Sequence, residues 1–183
     1  MQERRQRQKR AIFNPKYVGT ERRRTNIGLC ILFLSIVTFF LFQRYVIAGG
    51  IVTERSMLPT LKEGNYYLIN KYIYLVSQPQ RGDIVVLRPH PYDSDQYIKR
   101  VIGLSEETLL ISGGKVYING RPLDEPYAIG DTYPNLGPIQ IRKNSYFVMG
   151  DNRVESHDSR HFGTVGLKNV EGKIKAGQWF SFR

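Results

Sequence analysis

Residues 108–118 read Thr-Leu-Leu-Ile-Ser-Gly-Gly-Lys-Val-Tyr-Ile, which is two short apolar segments joined by a small turn. Isoleucine, valine, threonine and tyrosine favour extended strands, and the Gly113-Gly114 pair can adopt the positive φ angles that a tight hairpin needs. The stretch therefore predicts a β-hairpin with strands at residues 108–111 and 115–118.

Similar β-type segments lie on both sides of this hairpin and are separated by turn residues. They occupy residues 66–69, 84–87, 97–102, 146–149 and 174–182. Residues 121–138 instead carry four prolines, which predicts an irregular loop. The sequence shows no convincing amphipathic helix and no internal repeat, so the predicted fold class is mainly β.

The longest apolar run, residues 27–42, precedes the β-rich part. As a helix rising about 1.5 Å per residue it covers roughly 24 Å. Extension to residue 48, with Arg44 snorkelling and Tyr45 at the interface, gives the length needed for a hydrocarbon core of about 30 Å. We therefore predict one transmembrane helix at residues 27–48. The alternative, a cleaved secretory signal, is disfavoured by the length of the run and the absence of a prompt small-x-small site.

Basic residues are concentrated before this run. Residues 1–26 hold nine Lys and Arg against two Glu, a net charge of +7 out of +11 for the whole chain. The positive-inside rule then predicts a cytoplasmic N-terminal arm and an extracytoplasmic domain at residues 51–183. Nucleic-acid binding by the arm is an alternative, but attraction to anionic lipids explains the charge with fewer assumptions. We expect a lipid bilayer, and no nucleic acid, as a partner.

The part after the run has 133 residues, enough for one domain with a small inserted lobe. The single cysteine, Cys30, lies within the predicted span. We therefore expect the outer domain to fold without disulfides and to contain no cysteine cluster for a metal.

Ser56 lies close behind the predicted span, in a position to act on a substrate that is itself in the membrane. An isolated hydroxyl is a poor nucleophile near neutral pH, so it needs a base. His157 next to Asp158 is one candidate, although adjacency in sequence says little because a fold normally brings base and acid together. A zinc site of His157, Asp158 and His161 is conceivable, as are plain surface histidines.

Lys99 is the other candidate base. Alternation along residues 97–102 puts it on the face shared by Tyr97 and Val101, with Arg100 on the opposite face. Desolvation that lowered its pKa by about two units would raise the neutral fraction about a hundredfold, at a cost of about 2.7 kcal/mol. Arginine could not act in this way because it does not deprotonate in proteins. From the residues alone, Lys99 can equally be a snorkelling strand residue.

Four motifs in a fixed order favour the catalytic interpretation. They are residues 56–61 (SMLPTL), 81–86 (RGDIVV), 97–104 (YIKRVIGL) and 150–160 (GDNRVESHDSR). With the N-terminal span they closely resemble the type I signal peptidases of bacteria. The resemblance covers nearly all of residues 51–160, with a weaker match at residues 123–127.

The resemblance implies a serine-lysine dyad that hydrolyses a peptide bond through an acyl-enzyme, without a cofactor or metal. It implies that Ser56 is the nucleophile and Lys99 the general base. The other matching positions have supporting roles. These are Ser156, which positions the lysine; the ion pairs Asp158 with Arg160 and Arg100 with Asp151; and Met57 and Tyr97, which line the substrate cleft.

The resemblance also implies substrates, partners and a division of the chain. Substrates are signal-peptide-bearing preproteins with small, Ala-x-Ala-like residues before the cut, processed close to a protein translocase. The catalytic core spans residues 51–102 and 145–183, and residues 103–144 form an inserted lobe. The enzyme is expected in the plasma membrane, with an internal photosynthetic membrane as the alternative.

Two positions depart from the family pattern. Glu54 stands where many relatives have a serine that helps to stabilise the oxyanion, and a carboxylate would repel that charge. Residues 105–107 (SEE) replace a common Pro-Gly-Asp or Pro-Gly-Glu turn. Two other interpretations remain, a self-cleaving repressor-type protease and a non-catalytic membrane-tethered β module. The first is disfavoured because the N-terminal part shows no helix-turn-helix pattern.

Overall fold

The computed structural model of the chain describes residues 15–45, 47–90 and 95–174. The chain divides into two compact units, Met1–Gln43 and Arg44–Arg183. The first contains most of helix α1, Pro15–Tyr45, and the second contains all of the β-structure.

Helix α1 exposes every side chain from residue 26 to residue 41, most of them large and apolar. Among the residues that the structure describes, no helix is long and apolar enough to cross a membrane. The predicted helical segment at residues 27–48 is wrong at its end, because α1 stops at Tyr45 and a strand begins at Ile47. The physical reason is the Gly49-Gly50 pair, which disfavours a helix and lets the chain approach the neighbouring strand. A Cβ on Gly50 would lie only 2.5 Å from the Tyr67 hydroxyl.

Eleven strands are present in the described residues. In chain order they are β1 Ile47–Ile51, β2 Tyr66–Asn70, β3 Ile84–Leu87, β4 Tyr97–Gly103, β5 Thr108–Ser112, β6 Lys115–Ile118, β7 Arg121–Pro122, β8 Leu136–Gln140, β9 Ser145–Met149, β10 Val165–Gly166 and β11 Val170–Ile174. The short helices are α2 Ile73–Val76, α3 Ser159–Phe162 and a 3₁₀ turn at Leu167–Asn169.

The strands form two antiparallel sheets. A seven-stranded sheet has the order β1-β2-β11-β3-β4-β9-β10, and a four-stranded sheet has the order β7-β6-β5-β8. The predicted mainly β fold is therefore confirmed. So is the hairpin, since β5 pairs with β6 and both Gly113 and Gly114 have positive φ.

Two other predictions need correction or fall partly outside the described residues. The predicted loop at residues 121–138 includes strand β7 and the first residues of β8. The last described strand is β11 at Val170–Ile174, earlier than the predicted residues 174–182, and residues 175–183 lie outside the described part. Strands β1 and β11 each contain glycine, which reads as a turn signal in the sequence.

Strand β3 is buried at all four positions and separates two apolar clusters. Its Ile84 and Val86 belong to one cluster, and Val85 and Leu87 belong to the other, together with Val101. Strand β4 lies between β3 and β9 in the same sheet, with Lys99 directly opposite Val85. Lys99 therefore emerges from the middle of a sheet that is covered on both faces.

Candidate active site

Ser56 begins a tight turn that follows strand β1. The Leu58 amide donates to the Arg55 carbonyl at 3.1 Å, and the Leu61 amide donates to the Met57 carbonyl at 2.8 Å. The neighbouring Met57 is buried in the apolar cluster, which fixes the turn to the sheet. Ser56 itself is only 5% exposed, so its hydroxyl faces a partly dehydrated environment.

Lys99 meets this hydroxyl directly. Its Nζ donates a hydrogen bond to Ser56 Oγ at 2.7 Å, across 43 residues of sequence, and its side chain is fully buried (0% exposed). Burial lowers the pKa of Lys99, because the charged ammonium loses its hydration, whereas the charges of Glu54 and Asp158 oppose this shift. The structure thus brings together the two residues that the sequence predicted as nucleophile and base.

Asp158 is the centre of a buried polar network beside the lysine. It accepts hydrogen bonds from Ser156 Oγ at 2.7 Å, from the Gly150 amide at 3.0 Å, and from Arg160 Nε and Nη2, both at 2.8 Å. Burial alone would raise the pKa of Asp158, but the hydrogen bonds from Arg160 and Ser156 lower it below its usual value. The Ser156 hydroxyl is directed to Asp158, and its contact with Lys99 stays a prediction.

Arg100 and Asp151 form a second ion pair. Arg100 Nε and Nη2 donate to the two carboxylate oxygens of Asp151 at 2.7 and 2.6 Å. The Thr60 hydroxyl also donates to Asp151, at 2.5 Å. Because Arg100 lies on β4, Thr60 on the Ser56 turn and Asp151 after β9, this group ties together the three segments that build the site.

The residue 150–160 turn is held against the Ser56 turn by backbone contacts. The Asn152 amide donates to the Ser56 carbonyl at 3.0 Å. Gly150 packs so closely that a Cβ there would lie 2.6 Å from Ser156 Cβ and would also overlap the Ser56 carbonyl oxygen. Glycine at this position therefore permits the close approach of the two turns.

Sequence reasoning missed a set of contacts from residues 125–132. Glu125 accepts two hydrogen bonds from Arg153, at 3.0 and 2.6 Å, and both side chains are largely buried. The Tyr127 ring lies 4.1 Å from the Arg100 guanidinium carbon. The Ile129 amide donates to the Asp151 carbonyl at 2.7 Å. The weak family match at residues 123–127 is the signal in the sequence that could have indicated these contacts.

A small cavity of about 50 Å³ opens beside the serine. Its walls come from the β1 end, the Ser56 turn, β2 and the start of β4: Ile51, Val52, Thr53, Glu54, Ser56, Met57, Tyr67, Gln96 and Ile98. Met57 thus lines this cavity, and its role in a substrate cleft stays a prediction. Tyr97 is not among the residues that line the cavity; its ring centroid lies 5.6 Å from Lys99 Nζ.

The histidines considered as alternative bases take no part in the hydrogen bond between Lys99 and Ser56. The His157 and His161 rings stack with centroids 4.9 Å apart, and His161 Nδ1 accepts from the Asp158 amide at 3.4 Å. In the described part of the chain, no three His, Cys, Asp or Glu side chains are grouped so that they could hold a metal ion. The hydroxyl of Ser56 therefore has lysine, and not histidine, as its neighbour.

Comparison with known proteins gives consistent matches. Residues 24–179 match the family described as signal peptidase, peptidase S26. The chain is 35% identical to a signal peptidase I of Leptolyngbya laminosa over 159 residues, covering 83% of this chain and 78% of that protein. It is 34% identical to a signal peptidase I of Bacillus caldolyticus over 167 residues, covering 84% of this chain and 87% of that protein. A solved signal peptidase I from Enterococcus faecalis V583 is 32% identical, with a TM-score of 0.47, covering 55% of this chain and 99% of that one.

Proposed function

Because this chain belongs to the signal peptidase family, peptidase S26, we propose that it is a membrane-anchored endopeptidase that uses Ser56 and Lys99 as its catalytic dyad. The family match confirms the resemblance predicted from the four sequence motifs. The chain is accordingly a serine peptidase of the signal peptidase I type, acting on signal-peptide-bearing preproteins. The finer assignments below are our proposal.

The observation that carries the dyad is the 2.7 Å contact between Lys99 Nζ and Ser56 Oγ in a buried site. The neutral amine of Lys99 takes the hydroxyl proton while Ser56 Oγ attacks the scissile carbonyl carbon. The C–N bond then breaks, Lys99 gives the proton to the leaving amine, and the acyl group stays on the serine. Lys99 next takes a proton from water, whose oxygen attacks the ester carbonyl carbon. The bond between this carbon and Ser56 Oγ then breaks, Lys99 returns the proton to Ser56 Oγ, and the signal peptide leaves with a free carboxylate.

The negative charge that develops on the scissile carbonyl oxygen needs a hydrogen-bond donor to stabilise it. The backbone N–H of Ser56 suits this task, because no described residue accepts a hydrogen bond from it. The side chain of Glu54 cannot serve, since a carboxylate carries no proton to donate at neutral pH. The ion pair of Arg100 with Asp151 ties β4 to the residue 150–160 turn, and the pair of Arg160 with Asp158 braces that turn internally.

We propose specificity for small residues before the cut, a proposal that the small cavity beside Ser56 supports. The space of about 50 Å³ beside Ser56 is large enough for a methyl-sized side chain. We therefore assign Ala-x-Ala-like sequences as the cleavage sites.

Membrane anchoring is supported by the apolar side chains that helix α1 exposes at residues 26–41 and by the basic N-terminal segment. We propose a single pass, with residues 27–45 in the bilayer, the N-terminus cytoplasmic and the catalytic part outside, near the translocase. The plasma membrane is the assigned location, with an internal photosynthetic membrane as the alternative. Protease treatment of intact spheroplasts tests this topology: digestion of the domain after residue 51 is expected, and its protection would refute the orientation.

The dyad is tested with the detergent-solubilised full chain, a preprotein bearing an Ala-x-Ala site, and N-terminal sequencing of the product. Ser56→Ala and Lys99→Ala are each expected to abolish cleavage, and Lys99→Arg is expected to be equally inactive because guanidinium does not accept the proton. Lys115→Arg, on an exposed hairpin position, is the matched control and should cleave normally. Substantial turnover by Lys99→Arg would rule out lysine as the base.

A further inference from the structure

Glu54 is the one charged residue among the nine that line the cavity beside Ser56. It is exposed and lies two positions before the serine. The proposed chemistry gives this carboxylate no task, and its charge opposes the oxyanion. Its location at the mouth of the cleft therefore calls for a different explanation.

No neighbouring cation in the described part of the chain forms a salt bridge with this carboxylate. The adjacent Arg55 pairs with Glu63 instead, at 3.7 Å. Among the carboxylates that act on Lys99, Glu54 has the largest effect, raising the pKa of the amine against the effect of burial. Burial nevertheless prevails and lowers the pKa of Lys99, so this amine is a poor counter-ion for Glu54.

The reach of Glu54 along a bound substrate follows from chain geometry. Two residues span at most about 7 Å, which places the carboxylate within roughly 10 Å of the nucleophile once the side chain is added. An extended substrate advances about 3.3 Å per residue. Glu54 can therefore meet side chains within about three residues of the scissile bond on either side.

We propose that Glu54 is a specificity-determining residue that favours preproteins with Lys or Arg within three residues of the scissile bond. This inference rests on the proposed function. Because Glu54 is exposed, the cation of a neighbouring substrate position can reach its carboxylate at the edge of the cavity. Because one exposed charge pair contributes little energy, we expect kcat/KM to be about three- to fivefold higher for a substrate with a basic residue than for one with a neutral residue.

The test uses the purified full chain in detergent and a panel of preproteins that differ at one position only. Lys, Gln or Glu is placed singly at each of the three positions before and after the cut, apart from the two small residues. Wild type is expected to prefer Lys over Gln three- to fivefold at one position or more. Glu54→Gln should lose this preference, and Glu54→Lys should convert it into a preference for Glu.

Glu106→Gln, which removes an exposed carboxylate in the loop after β4, is the matched control and should keep the wild-type preference. If Glu54 acted only through its charge on Lys99, Glu54→Gln would change kcat/KM equally for all substrates and would shift the pH profile of cleavage. The ratio of kcat/KM between Lys and Gln substrates would stay the same. That result, or equal cleavage of the whole panel by wild type, would overturn the inference while leaving the peptidase function intact. Failure of wild type to cut any member would instead overturn the proposed function itself.

Discussion

Substitution of Gly150 by alanine tests whether close approach of the two turns sets the geometry of the Ser56 hydroxyl. The added Cβ would lie 2.6 Å from Ser156 Cβ and would overlap the Ser56 carbonyl oxygen, whereas ordinary contact begins at 3.4 Å. Neither neighbour is the flexible end of a long side chain. To restore ordinary contact distances, the two turns must separate by roughly 1 Å. The hydrogen bond from the Asn152 amide to the Ser56 carbonyl opposes this separation.

A displacement of this size has a large kinetic effect. Lengthening the 2.7 Å contact between Lys99 Nζ and Ser56 Oγ by 1 Å takes it beyond hydrogen-bond distance. Misplacement by about 1 Å costs on the order of a hundredfold in rate, or about 2.7 kcal/mol in the barrier. We expect kcat to fall about a hundredfold with little change in KM, since Gly150 is not among the residues that line the cavity.

The measurement is kcat and KM of the full chain on a preprotein, with thermal unfolding followed in parallel. Gly166→Ala is the control, because a Cβ there first meets Lys168 Cγ at 4.0 Å and should change neither quantity. A folded Gly150→Ala variant with kcat within about threefold of wild type would refute the reasoning.

Three further predictions concern buried charges. Arg153→Met leaves the Glu125 carboxylate buried without its partner, so urea denaturation should show a loss of about 3–5 kcal/mol in the free energy of unfolding; the double variant with Glu125→Leu should recover most of it. Because the pKa of Asp158 is lowered in the folded state, its paired carboxylate stabilises the fold at neutral pH, and this stabilisation is lost in acid. Between neutral pH and about pH 3, the melting temperature of Asp158→Asn should therefore fall less than that of wild type. The pKa of Lys99 is lowered in the folded state, so between this pKa and 10.5 the unfolded chain binds a proton that the folded chain lacks. The free energy of unfolding should therefore rise with pH over this range, and Lys99→Met should remove the rise. An unchanged dependence of stability on pH in Lys99→Met would contradict the lowered pKa of Lys99.

Local sequence features predicted the parts of the fold that depend on nearest neighbours. The Gly-Gly turn specified the hairpin of β5 and β6, because positive φ at two consecutive residues leaves few other conformations. Alternation along residues 97–102 placed Lys99 and Arg100 on opposite faces of one strand. In the structure Lys99 reaches Ser56 and Arg100 reaches Asp151.

Other parts depend on partners that are distant in sequence. Strand β11 is inserted between β2 and β3, and its glycine gives no strand signal of its own. At Gly172 a Cβ would be 2.6 Å from an Ile69 methyl carbon, so here glycine marks close strand packing instead of a turn. The pairing of Glu125 with Arg153, 28 residues apart, likewise becomes visible only in three dimensions.

The arrangement of charges around Lys99 explains how a lysine can have a lowered pKa close to two aspartates. Each carboxylate already has a guanidinium partner, since Asp158 is paired with Arg160 and Asp151 with Arg100. The attraction of these two carboxylates for a proton on the amine is therefore largely neutralised, and the loss of hydration outweighs the remaining pull of Glu54 on the pKa of Lys99. The two arginines thus have an electrostatic role besides their structural one, because removal of either would leave a buried carboxylate that stabilises the ammonium form. The base required by the proposed mechanism therefore depends first on burial, and then on the ion pairs that keep the two aspartates from opposing it.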